Sequence, residues 1–266
     1  MTRSALLNVM TSAAQKAARG LVRDFGEVEQ LQVSVKGPAN FVSAADLKAE
    51  KTIRKELEKS RPGYGFLMEE SGETPGSDQT HRWIVDPLDG TTNFLHGIPL
   101  WCISIGLERD GELVAGVVYA PILNELYQAE RGKGAFINDR RLRVSARRHI
   151  ADCVLTCGIP HRGRGDGSTF LRDAAMLMPK VAGLRRTGAA ALDLAWVAAG
   201  RFDGFFERGL SPWDLAAGIV LVREAGGLAS DMDGGGRMLS RGDIVASNAE
   251  IHDELVRTIP SLSAVA

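Results

Sequence analysis

Cysteine is scarce in this chain of 266 residues, which has only Cys102, Cys153 and Cys157 and no C-x-x-C pair. Such an odd and sparse set excludes the disulfide framework of a small secreted domain. Cys153 and Cys157 are close enough in sequence to share a zinc ion, but no further cysteine or group of histidines is spaced to complete that site. We therefore predict buried free thiols in a protein of the reducing cytoplasm.

The sequence also lacks long apolar runs, and its net charge is close to zero. No segment approaches the roughly 20 apolar residues that a membrane-spanning helix needs. The formal net charge is −1, so overall charge does not favour binding to nucleic acid or to an anionic membrane. With 44% hydrophobic and 24% charged residues, the composition is that of a globular chain with a sizeable core.

The first half of the sequence has the pattern of two helices followed by a sheet. Residues 4–25 and 43–57 have the apolar spacing of amphipathic helices. Short strands dominate residues 80–145, where Asp110-Gly111 is a strong signal for a two-residue hairpin turn. This half of the chain is therefore predicted to be an α+β arrangement with an antiparallel sheet.

Strands and helices alternate in the second half, which is typical of α/β layers. The helix predicted at residues 215–225 is almost entirely apolar and should be buried. We predict an α/β protein of two lobes, an α+β lobe over residues 1–145 and an α/β lobe over residues 146–266.

The stretch Trp83–Phe94 concentrates the chemistry of the sequence. Three apolar residues predict a buried strand, and Asp86 and Asp89 follow at its end with a proline between them. Gly90 permits a tight turn, and Thr91–Asn93 are suited to cap a following helix. Carboxylates bind hard divalent cations and helix N-termini bind phosphate, so the stretch indicates metal-assisted chemistry on a phosphate ester. An isolated D-x-x-D motif is also compatible with an ordinary strand that ends in a turn.

Glu69 and Glu70 provide a second acidic step, directly after the strand predicted at Tyr64–Met68. Neighbouring strands that end at the same edge of a sheet would bring this step close to Asp86. Because side chains alternate along a strand, we predict that Glu69 and Glu70 point to opposite sides and cannot serve the site equally.

Asp46 and Asp214 each lie at the predicted start of a helix. A carboxylate in the first turn is favoured by the helix dipole, and an aspartate at the N-cap accepts backbone hydrogen bonds. Either side chain could instead face a metal ion opposite Asp86. Sequence spacing alone leaves both interpretations open.

Taken in order, these motifs resemble the inositol monophosphatase family. Trp83–Phe94 with Leu95-His96 is similar to the first family signature, and Trp213–Gly218 through Gly226-Gly227 is similar to the second. Glu69-Glu70-Ser71 resembles the acidic step that precedes the first signature. The resemblance covers nearly the whole chain and implies a layered αβαβα sandwich with the active site between the lobes.

The resemblance also implies a site for two Mg²⁺ ions. Glu69, Asp86 and the backbone carbonyl of Leu88 would hold one ion, and Asp86, Asp89 and Asp214 would hold the other. Two cations about 4 Å apart can neutralise a phosphate monoester, assist the formation of hydroxide and stabilise the leaving alkoxide. Oxygen ligands without histidine favour Mg²⁺ over Zn²⁺.

The implied catalytic group comprises Thr91, Asp46 and Glu69. Thr91, with Asp46 behind it, would orient and deprotonate the attacking water. The backbone amides around Gly90, Thr91 and Thr92 would bind the phosphate.

The family match further implies a substrate-binding surface. Its residues would be Asp89, Gly90, Thr91, Thr92, Gly188, Ala189, Ala190, Glu207 and Asp214. Glu207 would accept hydrogen bonds from the hydroxyls of a sugar or inositol. Many inositol phosphatases have a hydroxyl-bearing residue where Ala189 stands, which weakens the expectation of a strict preference for inositol. Lys36 matches a family lysine close to the metals.

We therefore predict a Mg²⁺-dependent, Li⁺-sensitive cytoplasmic phosphatase that hydrolyses inositol 1-phosphate, and the family implies a homodimer. Histidinol phosphate, fructose 1,6-bisphosphate and 3′-phosphoadenosine 5′-phosphate are alternative substrates. The last two would require basic residues near the site, for which Arg185, Arg186 and residues 161–164 are candidates. A function of a different class is binding to the transcription machinery, to which some bacterial relatives attach.

Overall fold

The structure is a computed structural model that describes residues 4–26, 33–35, 41–161 and 165–259. Within these ranges the helices are α1 (Ala5–Phe25), α2 (Ala44–Ser60), α3 (Thr91–Leu95), α4 (Gly167–Leu177), α5 (Ala190–Ala198), α6 (Pro212–Glu224), α7 (Met238–Arg241) and α8 (His252–Thr258). The strands are β1 (Val33–Val35), β2 (Phe41–Ser43), β3 (Tyr64–Met68), β4 (Gly72–Thr74), β5 (Asp78–Asp89), β6 (Cys102–Arg109), β7 (Glu112–Ala120), β8 (Glu125–Glu130), β9 (Gly134–Ile137), β10 (Arg140–Arg141), β11 (Val154–Cys157), β12 (Gly183–Arg185), β13 (Gly204–Arg208), β14 (Gly227–Ser230) and β15 (Asp243–Asn248).

These elements stack in five alternating layers of helix and sheet. Helices α1 and α2 pack together on one face of an eight-stranded sheet, and α6 covers its other face. Helix α5 packs on α6 and on a five-stranded sheet, beyond which α8 and α4 form the last layer. The predicted α/β class and the αβαβα sandwich are confirmed.

The two large sheets differ in strand direction, as the two halves of the sequence indicated, and β1 and β2 form a separate antiparallel pair. The first has the order β10-β9-β8-β7-β6-β5-β3-β4 and is antiparallel except for the pair β3 and β5. The second has the order β12-β11-β13-β15-β14 and combines parallel pairs on β11 with antiparallel pairs on β15. One hydrophobic core, built from α5, α6 and both sheets, joins the two halves, and the division into lobes at residue 145 stays a prediction.

Helix α6 packs unusually close to the first sheet. A Cβ atom at Gly106 would lie 2.7 Å from the Cβ of Ala216, and one at Gly116 would lie 2.5 Å from the carbonyl oxygen of Ala217. Glycine is therefore required at both strand positions, because any side chain would separate the helix from the sheet. This close approach brings the N-terminus of α6, with Asp214, to the edge where β5 ends.

Several element boundaries differ from the prediction. Strand β5 begins at Asp78 rather than at Trp83, because its first residues pair with neighbouring strands although they are polar. Helix α6 begins at Pro212 rather than at Leu215, because Ser211 caps it. The sequence did not reveal β4 or α7, which are short elements without an apolar period.

Other local predictions are confirmed. Asp110 and Gly111 both have left-handed backbone conformations, with φ of 52° and 79°, as the predicted hairpin turn between β6 and β7 requires. Cys102, Cys153 and Cys157 are buried free thiols. None of the helices within the described ranges is long and apolar enough to cross a membrane.

Candidate active site

The parallel pair of β3 and β5 places two acidic residues side by side. Met68 pairs with Val85 where the ladder ends, and the amide of Glu69 donates to the carbonyl of Val85 at 3.2 Å. Glu69 and Asp86 therefore leave the same edge of the sheet next to each other. The expectation that two strands end at a shared acidic edge is confirmed.

The corner after Asp86 is a turn stabilised by its own side chain. Asp86 Oδ1 accepts a hydrogen bond from the amide of Leu88 at 2.8 Å, and the pairing of β5 with β6 is interrupted between Asp86 and Asp89. Gly90 then adopts a left-handed conformation with φ of 92° and is the N-cap of α3. The prediction that Thr91–Asn93 cap this helix is wrong, because Thr91 is already its first residue and no side chain caps α3 within the described chain.

Asp214 belongs to the first turn of α6. Ser211 is the N-cap, and Asp214 Oδ2 accepts a hydrogen bond from the amide of Ser211 at 2.8 Å. Asp214 is thus the third residue of the helix, and its interpretation as an N-cap is wrong. One carboxylate oxygen each from Asp86, Asp89 and Asp214 lies within 4.8 Å of the others.

A second acidic group adjoins the first. One carboxylate oxygen each from Asp46, Glu69 and Glu70 lies within 4.8 Å of the others. The predicted separation of Glu69 and Glu70 is wrong, because both follow the end of β3 in a turn where strand alternation does not apply. The amide of Glu70 donates to Oε2 of the buried Glu50 at 2.8 Å, a contact that the sequence did not reveal.

The predicted pair Thr91 and Asp46 also comes together. The hydroxyl oxygen of Thr91 lies 3.0 Å from the carbonyl oxygen of Leu88 and 3.4 Å from Oδ2 of Asp46. Asp46 is buried on the first turn of α2, facing the site. Asp46 is thus a first-turn carboxylate that also lies at the acidic edge, and its role toward a metal ion stays a prediction.

Burial and mutual repulsion dominate the electrostatics of these acids. Burial, followed by the charges of Glu69, Asp89 and Asp214, raises the pKa of Asp86 well above its ordinary value. Burial and the charge of Asp214 raise the pKa of Asp89 to about 8, although a hydrogen bond from the amide of Ala191 opposes that shift. Buried carboxylates that repel one another in this way create a strong local demand for positive charge.

The donor set fits a hard divalent cation. The acidic groups present carboxylate oxygens, without a histidine or cysteine in either cluster. Oxygen ligands of this kind suit Mg²⁺, Ca²⁺ or Mn²⁺, whereas zinc sites are usually built with histidine or cysteine.

A cavity of 340 Å³ adjoins two of the three aspartates, Asp89 and Asp214, and contains the predicted substrate residues of the second half. Asp89 and Asp214 line one part of it, and Gly188–Ala190 and Glu207 line the rest together with α4 and residues 158–161. Gly90, Thr91 and Thr92 do not line this cavity.

Glu207 depends on a glycine that the sequence did not reveal. A Cβ atom at Gly158 would lie only 1.8 Å from Cδ of Glu207. The carboxylate of Glu207 therefore occupies the space that any other residue at position 158 would fill. A Gly followed by Ile-Pro is not a recognisable signal in the sequence.

Asn93 links the acidic edge to one wall of the cavity, and Asp193 is a second buried polar residue at that cavity. The side-chain amide of Asn93 donates to the carbonyl oxygens of Leu100 and Thr187 at 2.6 and 2.9 Å, which ties α3 to the segment before Gly188. The buried Asp193 accepts a hydrogen bond from the hydroxyl of Thr156 at 2.9 Å. The position of Asn93 within the first signature was the only sequence sign of these roles.

Some of the candidate basic residues line the cavity and others do not. Arg186 and His161 line the cavity, whereas Arg185 is exposed at the end of β12 and does not. Arg208 also lines the cavity and was not among the predicted basic residues. Lys36 and residues 162–164 lie outside the described residues.

Comparison with known proteins is consistent with this arrangement. The family model described as "Inositol monophosphatase family" matches residues 2–264. An inositol-1-monophosphatase of Mesorhizobium japonicum is 62% identical over 259 residues, which are 97% of each chain. The Nus factor SuhB of Escherichia coli is 44% identical over 246 residues, which are 92% of each chain.

A crystal structure of the extragenic suppressor protein suhB of Bartonella henselae superimposes with a TM-score of 0.94. It is 57% identical, and the alignment covers 97% of this chain and all of the other. Because the family model spans nearly the entire sequence and both of its acidic signatures meet at one edge of the fold, this chain belongs to the inositol monophosphatase family, whose members are metal-dependent phosphatases.

Proposed function

We propose that this protein hydrolyses monophosphate esters of small alcohols with two Mg²⁺ ions, and that inositol 1-phosphate is its main substrate. The observation that carries this proposal is the cluster of Asp86, Asp89 and Asp214, because two of its members, Asp89 and Asp214, line the cavity that also contains Glu207. The name of the Mesorhizobium relative supports the same substrate. In this proposal residues 1–145 supply most metal ligands, and residues 146–266 supply Asp214 and the substrate side.

Two sets of oxygen atoms would hold the ions. Glu69, Asp86 and the carbonyl of Leu88 form one set, and Asp86, Asp89 and Asp214 form the other. When bound, the ions neutralise phosphate charge and lower the pKa of water. The hydrogen bond from the amide of Leu88 holds the orientation of the Asp86 carboxylate, which would belong to both sets.

Thr91 and Asp46 would act on the attacking water, close to Glu69. The Thr91 hydroxyl, which lies between the Leu88 carbonyl and Asp46, can orient a water molecule, and the buried Asp46 carboxylate can take up its proton. The first amides of α3, after Gly90, have no side-chain cap among the described residues and would donate to the phosphate.

The alcohol part of the substrate would occupy the cavity. Glu207 would accept hydrogen bonds from its hydroxyls, and the backbone at Gly188–Ala190 would pack against the ring. Ala189 offers no hydroxyl group, so the protein should tolerate other polyols better than a relative with serine or threonine there.

A substrate panel tests the proposal. Phosphate release is measured with inositol 1-phosphate, histidinol phosphate and fructose 1,6-bisphosphate, with Mg²⁺ and with added Li⁺. We expect the highest kcat/KM for inositol 1-phosphate and inhibition by Li⁺. If no ester releases phosphate, the proposed function is wrong.

Gly158→Ala should weaken substrate binding without affecting the metal site. The added methyl group displaces the Glu207 carboxylate, so we expect KM for inositol 1-phosphate to rise roughly tenfold, the effect of losing a charged hydrogen bond. The Mg²⁺ concentration for half-maximal activity should stay unchanged. Gly236→Ala is the matched control, because a Cβ atom there meets nothing within 4 Å; equal KM values in the two variants would exclude a role for Glu207.

We also propose that the protein forms a homodimer in the cytoplasm. Leu171 and Met178 on and after α4 are 66% and 58% exposed, and large apolar side chains that project from one helix favour association. The mass in solution, measured by light scattering, tests the dimer.

A contact with the transcription machinery is a second candidate function. It is supported by the 44% identity to a protein named as a Nus factor. Pull-down of RNA polymerase from a lysate by the wild-type protein, compared with an Arg185→Ala/Arg186→Ala variant, tests this role.

A further inference from the structure

The acidic step of Glu69 and Glu70 lies in a three-residue loop, residues 69–71, between β3 and β4. Met68 pairs with Gly72 across this loop, and Gly72 has a left-handed φ of 73°, as is common at the end of a three-residue hairpin loop. Strand β4 has three residues and lies at the edge of the sheet. So short a strand constrains the loop little, and the position of Glu69 therefore depends on contacts from outside the hairpin.

Two elements outside the hairpin hold this loop. The amide of Glu69 donates to the carbonyl of Val85 on β5 at 3.2 Å, and the amide of Glu70 donates to Oε2 of Glu50 on α2 at 2.8 Å. The second contact is the shorter one, and a carboxylate makes a stronger hydrogen bond to a backbone amide than a neutral oxygen does. The loop is thus attached to the sheet through one residue and to helix α2 through the next.

Glu50 lies next to the acidic edge without belonging to it. The residue is 5% exposed and follows Asp46 by about one helical turn, so both side chains project from the same face of α2. Carboxylate oxygens of Asp46, Glu69 and Glu70 lie within 4.8 Å of one another, and Glu50 is outside this group. Helix α2 therefore contributes one carboxylate to the edge and uses a second to hold the loop that carries the other two.

We propose that Glu50 is a positioning residue of the metal site. By holding the amide of Glu70 it fixes the loop in which the Glu69 carboxylate lies beside Asp86, so that one of the two proposed ligand sets is arranged before an ion binds. This inference rests on the proposed two-metal function and adds to it a residue that touches neither metal nor substrate. Residues that orient metal ligands in this way account for roughly 10–100-fold in metal affinity or activity.

Two conservative variants separate the hydrogen bond of Glu50 from its charge. Glu50→Asp keeps the charge, but its side chain is one methylene shorter, which withdraws the acceptor from the amide of Glu70. Glu50→Gln keeps the length and an acceptor oxygen but removes the charge. Calorimetric titration of the metal-free protein with Mg²⁺, without substrate, should give a Kd at least tenfold higher for Glu50→Asp and within about threefold of the wild type for Glu50→Gln.

Hydrogen exchange at the amide of Glu70, followed by NMR, reports the same contact without metal. We expect exchange in the metal-free protein to be at least tenfold faster in Glu50→Asp than in the wild type and nearly unchanged in Glu50→Gln. If Glu50 served only the stability of the fold, Glu50→Asp would lower the melting temperature in EDTA and leave the Kd for Mg²⁺ unchanged.

Glu58→Asp and Glu58→Gln are the matched controls. Glu58 is an exposed residue of the same helix, about two turns beyond Glu50. Both substitutions should leave the Kd for Mg²⁺ unchanged. The inference is overturned if the folded Glu50→Asp variant binds Mg²⁺ as tightly as the wild type, if Glu50→Gln weakens binding as much as Glu50→Asp, or if Glu58→Asp weakens it equally.

The wild-type protein decides if Glu50→Asp fails to fold. Because a fixed loop and a bound ion stabilise each other, saturating Mg²⁺ should slow exchange at the Glu70 amide at least threefold, and unchanged exchange overturns the inference. Failure of the proposed function has a different sign. A wild type that binds Mg²⁺ but releases no phosphate from any ester contradicts the phosphatase, whereas normal phosphate release by a Glu50→Asp variant with unchanged Mg²⁺ affinity contradicts only the role of Glu50.

Discussion

Asp86→Asn should abolish phosphate release and, in the absence of metal, stabilise the fold. Asp86 is the one residue assigned to both sets of metal ligands, so its loss should lower kcat by about 10³-fold or more, the effect of several kcal/mol of lost metal catalysis. The same substitution removes a carboxylate whose pKa is raised by burial and by the charges of Glu69, Asp89 and Asp214. A group with this shift destabilises the folded state when it is ionised.

Thermal unfolding with and without metal separates the two effects. In EDTA the variant should melt at a higher temperature than the wild type. With Mg²⁺ the wild type should gain stability by mass action and the variant should gain little. Near-normal turnover in the variant would contradict the two-metal assignment. A lower melting temperature of the variant in EDTA would contradict the conclusion that the ionised Asp86 destabilises the metal-free fold.

Asp231→Asn is a control, because Asp231 is a buried aspartate whose pKa is lowered rather than raised. Burial raises the pKa of Asp231, but the amides of Gly235, Arg237 and Asp233 outweigh it and hold the pKa below its ordinary value. The charged form is therefore the stabilising one, and Asp231→Asn should lower the melting temperature with and without metal.

The acidic edge could be predicted because its signals are local. Asp86 and Asp89 follow an apolar strand, and a proline and Gly90 define the corner within five residues. Glu69 could be placed next to these two residues because neighbouring parallel strands end at the same edge of a sheet. For Asp46 and Asp214, spacing left two interpretations, and the resemblance to a family supplied the roles.

The cavity could not be predicted in the same way, because its contacts are distant in sequence. Asp173 and Arg208 are 35 residues apart, and Glu50 and Glu70 are 20 apart. No short pattern links such partners. The space at Gly158 that Glu207 occupies depends on how β11 and β13 pair, and that register appears only in the folded chain.

The metal-free protein should be more stable at pH 6 than at pH 8. Asp89 has a pKa of about 8 in the folded state and an ordinary value of 3.8. Between these values the folded state holds a proton that the unfolded state has released, so stability falls as pH rises. For this one group the loss between pH 6 and pH 8 is about 2 kcal/mol, which corresponds to roughly 4–8 °C in the melting temperature of a chain of this size.

Other buried groups modify this dependence in known directions. The raised pKa of Asp86 adds to the loss. The pKa of His252 is lowered by burial, so its protonation below its ordinary value of 6.5 opposes the trend at the acid end. Asp193, with a pKa raised to about 7, contributes in the same direction as Asp89 but lies outside the proposed metal ligands.

Saturating Mg²⁺ should remove most of the pH difference. A bound cation keeps Asp86 and Asp89 ionised in the folded state, so their protons no longer favour folding at pH 6. The contribution of Asp193, about 1 kcal/mol, remains and is opposed by His252 at the acid end, and Asp193→Asn should remove that contribution. Calorimetric melting at both pH values, with EDTA and with Mg²⁺, measures all four states. A metal-free protein that is equally stable at both pH values would show that the carboxylates of this edge do not repel one another, and the need for a cation would then have to come from the substrate alone.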